Sequence, residues 1–339
     1  MAEGSGLKME NGARSADSLS WGLLGPGGVA RRFARDLISQ GIHVRAVASR
    51  DPGRAAAFAS AMGIPESYGS YQGLLDNPDI DAIYVALPNH MHAEWSIRAA
   101  RAGKHVLCEK PAALDEAECE AVLRAVERAG VFYMEGFMYR CHPVWGMVMA
   151  LIEDGRIGEV RELRASFCYD MGFNPADIRQ SREAAGGALT DVGCYCLSFS
   201  RMIARAEPTR FRATSGIGPE TRVDEWTTAE LVFPDGIRAD FRCALREARP
   251  HSAVIIGERG RLEIPAPWHP SGEGAEVKLT PDGGEEESYR AADGLSLFAR
   301  EALEVSEYLH AKQGPSMTWE DSLGQARALE ALRKAAGLV

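Results

Sequence analysis

Lys110 stands in the triplet Glu109-Lys110-Pro111, directly after a short apolar run, His105-Val106-Leu107-Cys108. Such a run reads as a buried strand. Strand C-termini of an open α/β sheet face the ligand crevice, so Lys110 would be delivered there and not to bulk water. Pro111 fixes its own φ and donates no backbone hydrogen bond, which stiffens the turn. A rigidly held ammonium can orient a substrate oxygen or lower a neighbour's pKa; the plainer reading is a solvated turn with one acid and one base. A second group lies in Gly186-Gly187-Ala188-Leu189-Thr190-Asp191-Val192-Gly193-Cys194-Tyr195. At helical spacing Asp191 and Tyr195 share one face, and Gly187, Ala188 and Gly193 leave room for a close neighbour. The carboxylate and phenol either satisfy each other in a core or contact a substrate. The third group is Gly25-Pro26-Gly27-Gly28-Val29-Ala30, a G-x-G-x-x-A run suited to cradling a pyrophosphate on a helix N-terminus.

Each group needs an element to hold it. Ser20 to Leu24 is a strand candidate before the glycines, and Val29, Phe33, Leu37 and Ile38 recur at helical spacing after them. Strand, glycine turn and helix are the order a dinucleotide fingerprint requires: Gly25 for the tight turn, Gly27 for close approach to phosphate, Ala30 for packing on the strand. The next strand, His43 to Ser49, ends where the ribose is read. It carries Ser49 and Arg50, with Arg54 one turn on, and a hydroxyl plus guanidinium suits a 2′-phosphate. Asp51 either binds a ribose hydroxyl or caps the following helix. The apolar strand Ala82 to Leu87 ends in Pro88-Asn89-His90-Met91-His92, where Asn89 is expected to cap helix 91–102 and one histidine to pack on cofactor. No cysteine or carboxylate cluster completes a metal site there.

Helix 115–129 and strand Phe132 to Glu135 close this pattern, which breaks at Gly136-Phe137-Met138-Tyr139-Arg140. Beyond helix 143–153 the segments alternate as antiparallel strands: Arg161 to Tyr169, Arg210 to Ile217, Thr227 to Phe233, Ile237 to Leu245, Ala253 to Gly257 and Arg261 to Ile264. Pro234-Asp235-Gly236 and Gly257-Glu258-Arg259-Gly260 read as hairpin turns. The expected organisation is a tail over 1–19, bland and flexible, a Rossmann domain with a parallel sheet over 20–140, and an α+β domain with a large open, mostly antiparallel sheet over 141–339.

The 339 residues suffice for about two domains and a sizeable core. A net charge of -10 argues against a non-specific nucleic-acid binder. No apolar run approaches a membrane span, and seven scattered cysteines without a zinc-like pair fit reduced thiols in a cytoplasm.

Together these motifs resemble the glucose–fructose oxidoreductase, inositol dehydrogenase and rhizopine-catabolism family from about Trp21 onward. The resemblance rests on Gly25-x-Gly27-x-x-Ala30, Pro88-Asn89-His90-x-His92, Glu109-Lys110-Pro111, Phe137-Met138-Tyr139-Arg140 and Gly187-Ala188-Leu189-x-Asp191-x-Gly193-x-Tyr195. It implies a lysine at Lys110 touching the substrate oxygen, usually before a cis proline, and a C-terminal sheet used for homodimer or homotetramer contacts. Tyrosine at 195, where inositol-type members carry histidine, is similar to the branch with dihydrodiol dehydrogenases, NADP-dependent xylose dehydrogenases and nucleotide-sugar ketoreductases. The tail is too short and bland to match the cofactor-wrapping arm of glucose–fructose oxidoreductase.

The expected activity is hydride transfer between NADP(H), with NAD(H) also possible, and a carbinol or carbonyl carbon of a sugar, polyol or cyclic diol. Tyr195 would handle the hydroxyl proton, Lys110 would orient the oxygen and favour the phenolate, and Asp191 would hold a second hydroxyl or Lys110. Arg179 and Arg182 would close over substrate. Cofactor contacts are expected at Gly25, Gly27, Gly28, Val29, Ala30, Ser49, Arg50, Arg54, Leu87, Pro88, Asn89, His92, Glu109, Lys110 and Met138, and no metal, nucleic acid or membrane is expected. Two rivals are a hydrolase that oxidises and re-reduces a glycoside on a bound dinucleotide, and a non-catalytic NADPH sensor.

Overall fold

The computed structural model describes residues 19–339; of the tail expected over 1–19, all but Leu19 lies outside the described residues. Short, mostly apolar runs form β1 (Trp21–Leu24), β2 (Val44–Ala48), β4 (Ala82–Val85), β5 (His105–Glu109) and β6 (Tyr133–Gly136), and the polar β3 (Glu66–Tyr68) forms one edge. They pair in the order β3-β2-β1-β4-β5-β6, every neighbour parallel. β1, β4 and β6 are buried along their whole length, as a sheet covered on both faces requires. Between the strands run α1 (Gly28–Ser39), α2 (Pro52–Met62), α3 (Tyr71–Leu75), α4 (His92–Arg101) and α5 (Glu116–Ala129). Strand order reverses between β1 and β4, and the crevice opens at that reversal.

Local chemistry sets the helix limits. Asp51 and Asp115 cap α2 and α5 through the backbone N–H groups of Arg54 and Glu118, while Gly63 and Gly130 end them in the left-handed region. α1 buries Ala30, Phe33, Ala34 and Leu37, and Phe33 stacks on Tyr84 of β4 with ring centroids 3.8 Å apart. Ile38, expected on that face, is 42% exposed, since it stands one position round the helix from Leu37.

After α6 (Pro143–Glu153) come β7 (Val160–Cys168), α7 (Cys194–Ala204), β8 (Arg210–Ile217), β9 (Asp224–Val232), β10 (Arg238–Ala244), β11 (Ser252–Gly257), β12 (Gly260–Ile264), β13 (Ala275–Pro281) and β14 (Glu287–Ala291). These strands form one sheet in the order β14-β13-β12-β11-β7-β10-β9-β8. The strand list read from sequence needs two corrections. β7 and β10 run parallel, because the chain leaves β7 through α7 and the β8–β9 pair before returning beside it, which is the long connection parallel neighbours need. β13 and β14 were not anticipated, although Ala275, Val277 and Leu279 alternate inward; the polar residues between them mask the pattern.

α8 (Leu297–Glu307) and α9 (Trp319–Ala335) return to the first sheet, α8 against α1 and α9 against α5. Phe298 meets Phe33 edge-on at 6.0 Å, so α8 braces the helix that follows the glycine turn. No helix among the described residues is long and apolar enough to cross a membrane.

Candidate active site

The crevice between the two sheets begins at Gly25. Its φ of +97° is left-handed, and a Cβ there would stand 2.6 Å from the Ala86 carbonyl oxygen. Glycine is what lets β1 turn this close to the end of β4. Gly27 and Gly28 differ: a Cβ on either would meet nothing within 4 Å, so their backbone faces open space. Gly27 precedes α1 without a side-chain cap, and the first turn of α1 holds no acid. Uncapped N–H groups and the positive end of a helix dipole therefore face that space, which fits the pyrophosphate of a dinucleotide. Val29 lines the adjoining cavity, whereas Ala30 is fully buried and serves only packing.

At the end of β2, Ser49 is buried and its Oγ accepts the Asp51 N–H at 3.1 Å. Asp51 Oδ1 in turn accepts the Arg54 N–H at 3.1 Å, which commits that carboxylate to its helix. Arg50 and Arg54 are exposed and make no ion pair among the described residues. At the end of β4, Leu87 and Asn89 line the cavity beside Pro88. Asn89 does not cap α4 as expected. The chain makes a 3-10 turn over Asn89–Met91 first, so the α4 N-cap is Met91, and the Asn89 Nδ2 instead donates to the Ala185 carbonyl at 2.9 Å. Through that bond the cofactor loop holds the loop ahead of Asp191. His92 is buried, and its ring sits between the Leu87 and Pro111 carbonyls at 2.7 and 2.8 Å, joining the ends of β4 and β5. Burial pushes its pKa down to about 4, against those two backbone contacts.

Glu109 ends β5 as a buried carboxyl that accepts a hydrogen bond from the Tyr84 hydroxyl; burial raises its pKa despite the nearby Lys110. The Lys110–Pro111 peptide is cis. Just beyond it, Glu135 at the end of β6 accepts the Ala112 N–H at 2.9 Å and fixes the chain. Lys110 Nζ donates to the Asp191 carbonyl at 2.7 Å and lies 3.3 Å from Asp191 Oδ1. Asp191 Oδ2 accepts the Tyr169 hydroxyl at 2.6 Å and lies 3.4 Å from Arg179 Nε. Burial alone would lower the Lys110 ammonium, yet Asp191, Cys194 and Glu109 together outweigh it and hold the amine above its ordinary value. Burial alone would raise the Asp191 carboxyl, yet Lys110 and Arg179, with the Tyr169 hydrogen bond, hold it below the usual range.

Residues Leu189–Gly193 form a π-helical turn and α7 begins only at Cys194, so Asp191 and Tyr195 do not share a regular α-helical face as expected. The wider turn carries Asp191 to Lys110 while Tyr195 lies below the ammonium, Nζ 5.1 Å from its ring centroid. Phe167, Phe137 and Tyr139 fix that ring at 5.2, 5.4 and 5.7 Å. The Tyr195 hydroxyl has no hydrogen-bond partner among the described residues, and the side chain lines a cavity of about 450 Å³ shared with Lys110, Asp191, Glu109 and Met138. Burial pushes the phenol well above its ordinary pKa, with Glu109 adding to the rise. This corrects the expectation that Lys110 lowers it: the ammonium is bound to Asp191 and stands over the ring face, not beside the oxygen.

Tyr169, Phe167, His251 and His269 also line the cavity and were not anticipated as site residues. Phe167 and Tyr169, two apart at the end of β7, project to one face, but aromatic alternation in a strand gives no sign of a ligand. Arg182 lies outside this cavity, on a neighbouring one with Arg222 and Arg333. Among the described residues no cluster of histidine, cysteine and carboxylate side chains could hold a metal.

Comparison with known proteins agrees with this layout. A model described as "Oxidoreductase family, NAD-binding Rossmann fold" matches residues 19–137, and one described as "GFO/IDH/MocA C-terminal domain" matches residues 145–263. The chain is 32% identical over 328 residues to a trans-1,2-dihydrobenzene-1,2-diol dehydrogenase of Mus musculus, covering 95% of this chain and 98% of that protein. It is also 32% identical over 320 residues to a D-xylose 1-dehydrogenase (NADP(+)) of Haloferax volcanii, covering 94% and 97%. Among solved structures it resembles KijD10, a 3-ketoreductase from Actinomadura kijaniata in complex with NADP and TDP-benzene. That match has a TM-score of 0.87 and 30% identity over 94% of this chain and 98% of the other.

Proposed function

Because the chain belongs to the GFO/IDH/MocA oxidoreductase family, we propose that it oxidises a carbinol carbon of a sugar, polyol or cyclic diol, or reduces the matching carbonyl, with Tyr195 as acid–base. The observation that carries this reading is the unpartnered Tyr195 hydroxyl in a cavity beside the open glycine turn. NADP(H), when bound, accepts or supplies the hydride. Tyr195 Oη takes the substrate hydroxyl proton in oxidation and returns it in reduction. Lys110, anchored by Asp191, has donor capacity left to orient the substrate oxygen and favours negative charge on it. Asp191, held by Arg179 and Tyr169, keeps the ammonium in place. A panel of aldoses, inositols and dihydrodiols, followed at the nicotinamide absorbance with NADP and with NAD, tests the reading. One reduced cofactor should form per molecule oxidised. Product without net cofactor change would indicate an internal redox cycle instead.

The exposed guanidinium groups of Arg50 and Arg54 support NADP as the preferred cofactor. Arg50→Ala should raise the KM for NADP by about ten- to a hundredfold, since a hydrogen bond to a charged group contributes roughly 1.5–3 kcal/mol. The KM for NAD should stay near its wild-type value. Equal losses for both cofactors would reject the assignment. The reading includes a homodimer or homotetramer built on the second sheet, whose outward face carries Arg164, Glu230 and Asp240; a monomer in light scattering would remove that part. The seven cysteines form no disulfide, which supports a reducing compartment such as the cytoplasm.

A further inference from the structure

The cavity has a polar wall that the acid–base group leaves unused. His251 stands just before β11, and His269 follows Trp268 beyond β12. Both line the same cavity as Lys110 and Tyr195. Phe167 lies between them and the phenol: its ring centroid is 5.2 Å from Tyr195, 4.6 Å from His251 and 5.8 Å from His269. The two imidazoles are 6.5 Å apart, and among the described residues neither is in ring contact with Tyr195. Behind them Trp268 stacks on Phe167 at 5.7 Å and 7°, so the floor is a rigid aromatic surface. Trp268 Nε1 donates to the Ser166 carbonyl at 2.8 Å, which leaves that indole no donor for a ligand.

His251 is half-buried and His269 is exposed at the cavity rim; loss of water around the rings lowers the pKa of both, that of His269 to about 4 with Arg32, His251 and Lys110 adding to the effect. Each ring is therefore neutral near neutral pH and carries one N–H donor and one lone pair. His251 has a backbone contact at Cys168, while the His269 ring has no hydrogen-bond partner among the described residues. A hydroxyl group, donor and acceptor at once, is the natural partner of such a ring. The cations Lys110 and Arg179 in the same cavity are matched by the carboxylates of Asp191 and Asp177, and a neutral hydroxyl needs no further counter-charge.

We infer that His251 and His269 bind the substrate hydroxyls farthest from the reacting carbon. The preferred substrate is then a ring hydroxylated on both sides, an aldopyranose or cyclohexane polyol, and not an arene dihydrodiol whose far edge carries only C–H. This rests on Tyr195 marking the reacting end, as proposed above, and it makes the two histidines specificity determinants without a part in the hydride step.

His269→Phe and His251→Phe keep an aromatic ring and remove the hydrogen-bonding atoms. Each should raise the KM for an aldopyranose or inositol about tenfold, the loss of roughly one hydrogen bond. The KM for trans-cyclohexane-1,2-diol or an arene dihydrodiol should stay the same or fall, and kcat on either class should change by less than about twofold. His269→Gln, which keeps a donor and an acceptor, should recover part of the polyol KM. Calorimetric titration of the NADP-bound protein with the same compounds separates this inference from the reading it rests on. Polyol binding that both variants weaken, without turnover by the wild type, would retain the recognition wall and reject the hydride-transfer reading. Equal effects on both substrate classes, or none on either, would overturn the inference.

Discussion

Tyr195→Phe should lower kcat by about 10²–10⁴-fold, the usual contribution of general acid–base catalysis. Cofactor affinity and thermal midpoint should stay near wild type, because the variant keeps the ring that Phe137, Tyr139 and Phe167 hold and removes a hydroxyl with no hydrogen-bond partner among the described residues. The pH profile fixes the role. An ordinary phenol loses its proton near pH ~10, and burial places Tyr195 above that value. The protonated form therefore predominates throughout the neutral and mildly alkaline range. Carbonyl reduction draws on that proton, so its kcat should hold steady up to about pH 10 and fall only beyond. Carbinol oxidation needs the phenolate and should climb with pH across the same range without levelling. The Phe variant should lose both features. Oxidation that levels off near neutrality in wild type and variant alike would place the proton on another group.

The second large effect is expected from Lys110→Ala. Removing one donor from a site that stabilises developing negative charge typically costs about 10²–10³-fold in kcat. The fold should survive, because Asp191 keeps Arg179 and Tyr169 as partners and is not left as a lone buried charge. The midpoint of thermal unfolding and the NADP dissociation constant should change little against that loss in turnover. Lys110→Arg should not restore activity: a planar fork cannot take the place of a compact ammonium 5.1 Å above the Tyr195 ring. Wild-type turnover in Lys110→Ala, at wild-type cofactor affinity, would falsify the catalytic role and leave the lysine as a turn residue.

What could be read from the sequence was the chemistry written in contiguous runs. Gly25 to Ala30 lies between a strand and an amphipathic helix, and Glu109-Lys110-Pro111 ends an apolar strand; in both, local order already implies the crevice. The GFO/IDH/MocA family, the parallel sheet and the second, larger sheet were legible for that reason. The remainder depends on residues that meet only after folding. Tyr169 and Arg179 gain meaning from the carboxylate between them, and His251 and His269 stand alone in unremarkable loops. The π-helical turn at Leu189–Gly193 left no periodic signal in so short a segment, so a regular helix was assumed and the Asp191–Tyr195 relation was misjudged. Asn89 was assigned to its own helix because capping is a local rule, whereas its partner is the Ala185 carbonyl, 96 residues away. The fall of the phenol pKa was expected from the nearness of a cation. Orientation decides otherwise, since Asp191 holds the Lys110 ammonium over the face of the ring.

The exposed pair Arg50 and Arg54 has a consequence for how such a protein changes over generations. Neither guanidinium is tied to another side chain among the described residues, so substitutions there should combine additively with changes elsewhere. Lys110, Tyr169 and Arg179 form the opposite case, three side chains that share the Asp191 carboxylate. Their substitutions should be strongly non-additive, each altering the effect of the next. On the proposed role of Arg50 and Arg54, coenzyme preference can drift by single steps under selection while Lys110 and its Asp191 anchor stay frozen. If Arg50 and Arg54 read the 2′-phosphate as proposed, exchanging NADP for NAD needs changes only at the rim after β2, and the double-mutant coupling between Arg50 and Lys110 should be close to zero.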